Sequence, residues 1–299
     1  MSHTGRQILA GKRLVVFGCG YVGTQVAREA AQRGGRVVAV TRNESKAAAL
    51  RTEGIEVVVA DLAGDAWHTQ IAGGADFALN CVSSGGGGLE GYRHSYVGGM
   101  TSVVAWARER GAVGTFIYTG STSVYPQGGG VAVDETATTD DFGERGQILL
   151  EAEKILRLNE GACSRWFVLR LAGIYGPQRH HLLDQVRAGE VAGRGDYRLN
   201  LIYREDIVAA IWAAFGAAAG VKNEIFNLAD DGAATKAEMV AWLARRLGLA
   251  EVRFSGEPAA GRRAVTPDRV IVNTKAKALL GWQPGWASFR EGYEKILSC

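Results

Sequence analysis

A chain of 299 residues with 47% hydrophobic and 22% charged residues has ordinary globular proportions, which excludes a disordered chain and allows one or two domains. Lys and Arg exceed Asp and Glu by 34 − 31 = 3, too small a margin to imply a nucleic-acid or membrane partner. The longest apolar stretch, residues 207–221, falls short of a membrane span, and the N-terminus has no apolar core of signal-peptide length, so a cytoplasmic location is expected.

Residues 14–17 form an apolar run ended by glycine, and residues 24–33 follow as a helix with Val22, Val26 and Ala30 on one face. Residues 36–40, 56–60, 77–81 and 115–119 read as further strands. Helical patterns lie between most of them, among them Gly99–Arg110 with Val103, Val104 and Ala107 inward. Strand–helix–strand units at this spacing predict right-handed crossovers and a parallel sheet covered on both faces, which suits strands that are nearly all apolar. Beyond them come an amphipathic helix at 144–158, a strand at 166–171, a buried helix at 207–215 and a strand at 224–228. Thr235 opens a helix with Glu238 three residues on, a capping box, and a last helix starts from Ser288. Residues 173–202 lack periodicity, and the glycine run 85–88 reads as a flexible loop after the fourth strand. The fold class is α/β, a Rossmann-type doubly wound parallel sheet with a smaller C-terminal substrate lobe.

Between the first strand and the first helix stands GCGYVG, with glycines at 18, 20 and 23. Gly18 permits the tight turn, Gly20 lets a pyrophosphate approach the backbone, and Gly23 lets helix and strand pack closely. The amides of this loop, including those of Tyr21 and Val22, would meet the phosphates at the positive end of the helix dipole. Val82, just past the fourth strand, completes the predicted cofactor contacts. At the end of the second strand no acidic residue awaits the adenosine ribose, and Arg42 supplies a guanidinium suited to a 2′-phosphate. NADP(H) is therefore favoured, with NAD(H) also possible, unless Arg42 is simply a solvated strand-end residue. Asp61, ending the third strand, either accepts from the adenine amino group or caps the segment that follows. The dinucleotide-binding domain is placed at 1–172, with 203–230 returning to it, and the lobe at 173–202 and 231–299. The four cysteines are scattered, and no metal-ligand spacing occurs.

The succession GCGYVG, VVVAD, FIYTGSTSVYP, LRLAGIYGP and NLIYREDIVAAI resembles the extended short-chain dehydrogenase/reductase superfamily, the NAD-dependent epimerase/dehydratase group. The likeness runs over nearly the whole chain, through the closing LLGWQPGWASFREGY. It implies a cofactor domain, a smaller lobe for nucleotide-linked sugars, and Ser121 at the family's catalytic Ser/Thr position. A homodimer through two helices of the cofactor domain, 99–110 and 144–158, is also implied.

The family's chemistry rests on Tyr-x-x-x-Lys, whose spacing places phenol and ammonium on one helical face. None of the nine tyrosines here has lysine four places on. The resemblance puts Arg145 at the tyrosine position and Leu149 at the lysine position. Arginine stays protonated, so it cannot serve as an ordinary base. Arg145 shares a face with Leu149, Ala152 and Leu156, which points it toward the cleft to bind an anionic substrate group or cofactor phosphate, unless it is simply an exposed first-turn arginine. The chain thus resembles most the atypical extended reductases that lack the usual active-site set.

Other groups must then move protons. The candidates are Ser121, Tyr175 in the Tyr-Gly-Pro turn, and His181, with His180 beside it as a substrate contact. Each has a plainer reading: a turn-capping serine, a packing tyrosine beneath the cleft, and surface histidines. Tyr92 and His94 are weaker versions of the same idea. Two functions follow: an NADP(H)-binding, epimerase/dehydratase-like oxidoreductase acting on a sugar nucleotide or other small polar substrate, or a dinucleotide-holding sensor or scaffold that has lost catalysis.

Overall fold

Residues 9–84, 86–140, 143–258 and 266–298 are described by a computed structural model; Gly85 of the glycine run and the N-terminal residues 1–8 lie outside them. In chain order the first half contains β1 (Arg13–Phe17), α1 (Gly23–Gln32), β2 (Arg36–Thr41), α2 (Glu44–Thr52), β3 (Glu56–Val59), β4 (Ala75–Asn80), α3 (Gly88–Arg93), a π-helical turn (His94–Gly98), α4 (Gly99–Arg110) and β5 (Val113–Ser121). There follow β6 (Val131–Val133), α5 (Gly143–Leu158), β7 (Cys163–Leu171), β8 (Gly173–Tyr175), α6 (His181–Arg187), β9 (Glu190–Val191), β10 (Arg198–Leu199), β11 (Leu201–Tyr203), α7 (Arg204–Phe215) and β12 (Glu224–Leu228). The chain closes with β13 (Ala234–Thr235), α8 (Lys236–Leu247), β14 (Arg253–Phe254), β15 (Arg269–Ile271), α9 (Thr274–Leu280) and α10 (Phe289–Leu297).

Seven strands form one sheet in the order β12-β7-β5-β4-β1-β2-β3, every pairing parallel. The strands are apolar throughout because both faces are covered: Leu14 and Val16 enter one core with α1 and α7, while Val15 and Phe17 enter the other with α4. The chain turns back on itself between β1 and β4, and an open α/β sheet binds ligands in the crevice at such a reversal. Two strands run farther than their apolar cores suggest. β5 and β7 stay paired from Val113↔Cys163 to Ser121↔Leu171, and along this ladder the Arg165 side chain donates to Thr115 Oγ1 at 2.8 Å.

The third core belongs to the lobe and joins Tyr175, Leu183, Val186, Val191, Met239, Leu243, Phe289 and Tyr293. The capping box of Thr235 and Glu238 starts α8, and Ser288 with Glu291 starts α10 the same way. The closing Gly-Trp-Gln-Pro-Gly-Trp segment docks on α7. The buried Asp206 carboxylate accepts the Gly285 and Trp286 amides at 2.6 and 3.2 Å, and its carbonyl accepts the Trp282 indole at 3.0 Å. Burial pushes the Asp206 carboxyl up to about 6.

Gly88 begins α3 instead of ending a loop. Within 231–299, β15 pairs with β6, and Ile271, Ala276 and Trp282 pack in the same core as Leu14 and Val16. Among the described residues no helix is long and apolar enough to cross a membrane.

Candidate functional site

The glycine loop lies against the end of β4. Gly18 has φ +90°, and a Cβ there would stand 2.8 Å from the Val82 amide nitrogen. A Cβ on Gly23 would stand 2.3 Å from the Gly18 carbonyl oxygen, so α1 could not approach the turn this closely with a side chain there. Gly20 differs, since nothing lies within 4 Å of its Cβ position, which leaves backbone open to the cleft. The Gly18 and Cys19 amides both donate to the Val40 carbonyl, at 3.0 and 3.1 Å, whereas those of Tyr21 and Val22 have no backbone acceptor among the described residues. Open amides at a helix N-terminus, beside a glycine without neighbours, fit a pyrophosphate. The surrounding cleft, about 440 Å³, is lined by Gly18, Gly20, Thr41, Arg42, Asp61 and Val82. Apart from Tyr21, Val22 and Gly23, which flank it, it therefore gathers all the cofactor residues expected from sequence.

At the outer end of this cleft Arg42 Nη1 stands 3.6 Å from Asp61 Oδ2, and His94 Nε2 stands 3.1 Å from the same oxygen. Asp61 Oδ1 accepts the Ala63 amide at 3.0 Å. Burial works to raise the Asp61 carboxyl, but the Ala63 amide and His94 overcome it and hold the group below its ordinary range. Asp61 thus caps the next segment and lines the cleft at once. Lys46 lines the same end, on α2, whose first turn is capped by the Asn43 side chain accepting the Lys46 amide at 2.8 Å.

Ser121 ends β5. Its hydroxyl donates to Ser123 Oγ at 2.9 Å and its oxygen accepts the Ser123 amide at 3.1 Å, so it also caps the short 3₁₀ turn Thr122–Val124. The turn is held from below. Arg269 donates to the Tyr125 and Thr122 carbonyls at 2.6 and 3.0 Å. The Tyr125 hydroxyl donates to Asn227 Oδ1 and accepts from Arg170, each at 2.8 Å.

Across the cleft, the Tyr21 hydroxyl donates to the Pro177 carbonyl at 2.8 Å and ties the glycine loop to the Tyr-Gly-Pro turn. The guanidinium carbons of Arg179 and Arg204 stand 5.5 and 4.8 Å from the centre of the Tyr21 ring, which places two cations beside the cofactor loop. Neither arginine was a candidate from sequence, because only the fold brings the two segments to one ring.

Four expected site residues, Tyr175, Arg145, His180 and His181, are not among the residues that line this cleft. Tyr175 faces the lobe core, not the cleft. It is 3% exposed, packed against Tyr203 and Tyr293, and its hydroxyl is buried without a hydrogen-bond partner among the described residues. Burial drives its phenol far above the usual range, so it cannot exchange protons near neutrality. Arg145 is exposed while Leu149, Ala152 and Leu156 are buried, because a first-turn guanidinium keeps its charge in water. It stacks on Tyr92 at 5.7 Å. His180 Nδ1 is occupied by Asp184 at 2.9 Å, and His181 is exposed on the first turn of α6. Among the described residues no hydrogen bond joins either histidine to Ser121.

Tyr92 and Tyr96 come to the fore instead, their ring centres 4.5 Å apart. The sequence signal was present, a Tyr-x-x-x-Tyr beside the missing Tyr-x-x-x-Lys, but only the packing of α3 on α5 gives it meaning. Among the described residues no three metal-binding side chains cluster.

The family model described as the NAD dependent epimerase/dehydratase family matches residues 14–229, well over half of the chain. Protein YeeZ of Escherichia coli strain K12 is 27% identical over 268 residues, covering 88% of this chain and 93% of that protein. Among solved structures, the UDP-glucose 4-epimerase of Thermotoga maritima with UDP-glucose aligns at a TM-score of 0.82 and 19% identity, over 96% of this chain and 97% of that one. MoeE5 in complex with UDP-glucuronic acid and NAD aligns at 0.80 and 18% identity, over 96% and 98%.

Proposed function

This chain belongs to the NAD dependent epimerase/dehydratase family, and from that premise we propose that it is an NADP(H)-binding, epimerase/dehydratase-like oxidoreductase that acts on a sugar nucleotide or other small polar substrate without the family's usual proton-transfer pair. The observation that carries the reading is the glycine-loop cleft, with open amides at Tyr21 and Val22 and cations at its far end. Arg42 and Lys46 supply positive charge at the adenosine end, where no carboxylate ends β2, and this supports a 2′-phosphate. A bound nicotinamide would supply hydride exchange at a substrate carbon.

The chain's own residues hold the substrate around that exchange. Ser121, on a turn braced by Arg269 and Tyr125, offers a hydroxyl to a substrate oxygen. Arg145, exposed above Tyr92, suits an anionic substrate group, and His180 and His181 meet the substrate from the lobe side. The related proteins named above carry a UDP-glucose and a UDP-glucuronic acid, which supports a nucleotide-linked sugar here. A sensor without catalysis would have little need of a lobe with its own core, so that reading is not proposed. The homodimer would use α4 and α5, and light scattering at working concentration tests it by the mass.

The test of turnover is incubation with NADP⁺ or NAD⁺ and either UDP-glucose or UDP-glucuronic acid, followed by nicotinamide absorbance and chromatography of the sugar. Conversion that falls at least tenfold in Ser121→Ala at unchanged melting temperature is the expected result. Conversion unaffected by that substitution would remove Ser121 from the site.

A further inference from the structure

We propose that the Tyr92 phenol, carried by α3 and not by α5, is the group that exchanges a proton with the substrate in this chain, with the Arg145 guanidinium as its fixed positive partner. The inference rests on the nicotinamide reading above and supplies the proton half of it.

Arg145 occupies the position at which the family's helix carries its tyrosine, and its guanidinium carbon stands 5.7 Å from the centre of the Tyr92 ring. A phenol therefore lies beside the vacated position, delivered by the neighbouring helix. At the lysine position Leu149 is 1% exposed and part of the core, so α5 brings no ammonium to the site. The guanidinium against the ring is the cation that replaces it, and a nearby positive charge favours the phenolate over the phenol.

Tyr96 packs its ring 4.5 Å from that of Tyr92. Burial, and then the neighbouring Tyr92, hold the Tyr96 phenol above its ordinary range. The backbone changes from α to π at His94–Gly98, two residues past Tyr92, and such single π-turns occur often at functional sites. The same turn sends Ser95 into the lining of the glycine-loop cleft. Tyr96 in turn meets the backbone of Ser84, another cleft residue, and feels the charge of Arg179 across the opening. The two phenols thus stand beside residues that line the cleft, Ser84 and Ser95, and Tyr92 stands against Arg145 of α5.

Among the described residues, the groups around Tyr92 include Arg145 on α5, Tyr96 on the π-turn and Tyr118 on β5, with the 2.7 Å Arg93–Glu151 pair spanning α3 and α5 beside them. In the oxidative direction the O–H bond of a substrate hydroxyl breaks and its proton passes to the Tyr92 phenolate oxygen. A bound oxidised nicotinamide would take the hydride that the substrate carbon gives up as it becomes a carbonyl carbon. The reverse direction returns both, and Tyr92, half-buried, recovers its proton from water.

The test needs no substrate. Tyrosinate formation is followed by ultraviolet difference absorbance while the full-length protein is titrated with base, in the parent chain and in Tyr92→Phe, Tyr96→Phe and Arg145→Leu. The first tyrosinate transition is expected to vanish in Tyr92→Phe, to persist in Tyr96→Phe, and to move upward by about half to one pH unit in Arg145→Leu. A first transition that survives in Tyr92→Phe, or one that Arg145→Leu leaves in place, overturns the inference. Nucleotide binding measured on the same preparations keeps the two readings apart: an unbound nucleotide sinks the proposed function, whereas a failed titration with nucleotide bound sinks only the role of Tyr92.

Discussion

Glu153 and Arg170 form an ion pair with side chains 1% and 4% exposed, joined by two parallel bonds of 3.0 and 2.7 Å. Burial by itself would lower the Arg170 guanidinium, but the bonds and charge of Glu153 override it and hold the group firmly protonated. Glu153→Gln therefore leaves a buried cation with half its partner, a loss of about 3–5 kcal/mol. Unfolding entropy of about 2.1 cal/mol/K per residue gives about 0.6 kcal/mol/K for 299 residues, so the melting temperature should fall by about 5–8 °C. Tyr125→Phe removes two bonds of 2.8 Å from the same network and should cost less, about 1–3 kcal/mol. Scanning calorimetry at neutral pH reads both. Nucleotide affinity should hold in each variant, because the glycine loop stands on other strands. A Glu153→Gln protein melting within about 1 °C of the parent would refute the claim that this buried pair stabilises the fold.

Three further outcomes follow from buried groups. Burial pushes the Asp230 carboxyl up to about 8, and its Oδ2 has no hydrogen-bond partner among the described residues. With the folded value above the unfolded one, the protonated carboxyl favours the fold at low pH, and stability is lost as pH rises toward 8. Thermal melts across that range should show the decline, and Asp230→Asn should flatten it; a decline unchanged in Asp230→Asn would contradict the assignment. Tyr175→Phe removes a buried hydroxyl without a partner and should leave nucleotide affinity intact and stability within about 1 kcal/mol, by calorimetry. Gly18→Ala puts a methyl group 2.8 Å from the Val82 amide at φ +90°, and affinity for nucleotide should drop about tenfold or more by titration.

The cofactor half of the molecule was legible because its signals are local. Apolar runs of strand length and a glycine spacing with a geometric cause each act within a few residues. The lobe was less so. Short strands such as β9 and β10 exist only through their partners, and the return of β15 to β6 pairs segments far apart in sequence. Arg145 illustrates the limit of periodicity: it shares a helical face with Leu149, yet at the first turn that face meets water and the Tyr92 ring instead of the core. Arg179 and Arg204 meet on Tyr21 for a reason no spacing records, the bond from the Tyr21 hydroxyl to the Pro177 carbonyl.

The most direct test of the central claim is calorimetric titration of the nucleotide-free protein with NADP⁺, NADPH, NAD⁺ and NADH side by side, repeated with Arg42→Ala. The account predicts that the phosphorylated forms bind about tenfold or more tightly than the others, and that Arg42→Ala removes most of this margin, since one charge-assisted contact at an exposed site is worth about 1 kcal/mol or somewhat more. Failure of all four nucleotides to bind would contradict it and leave the glycine loop as a turn with another ligand.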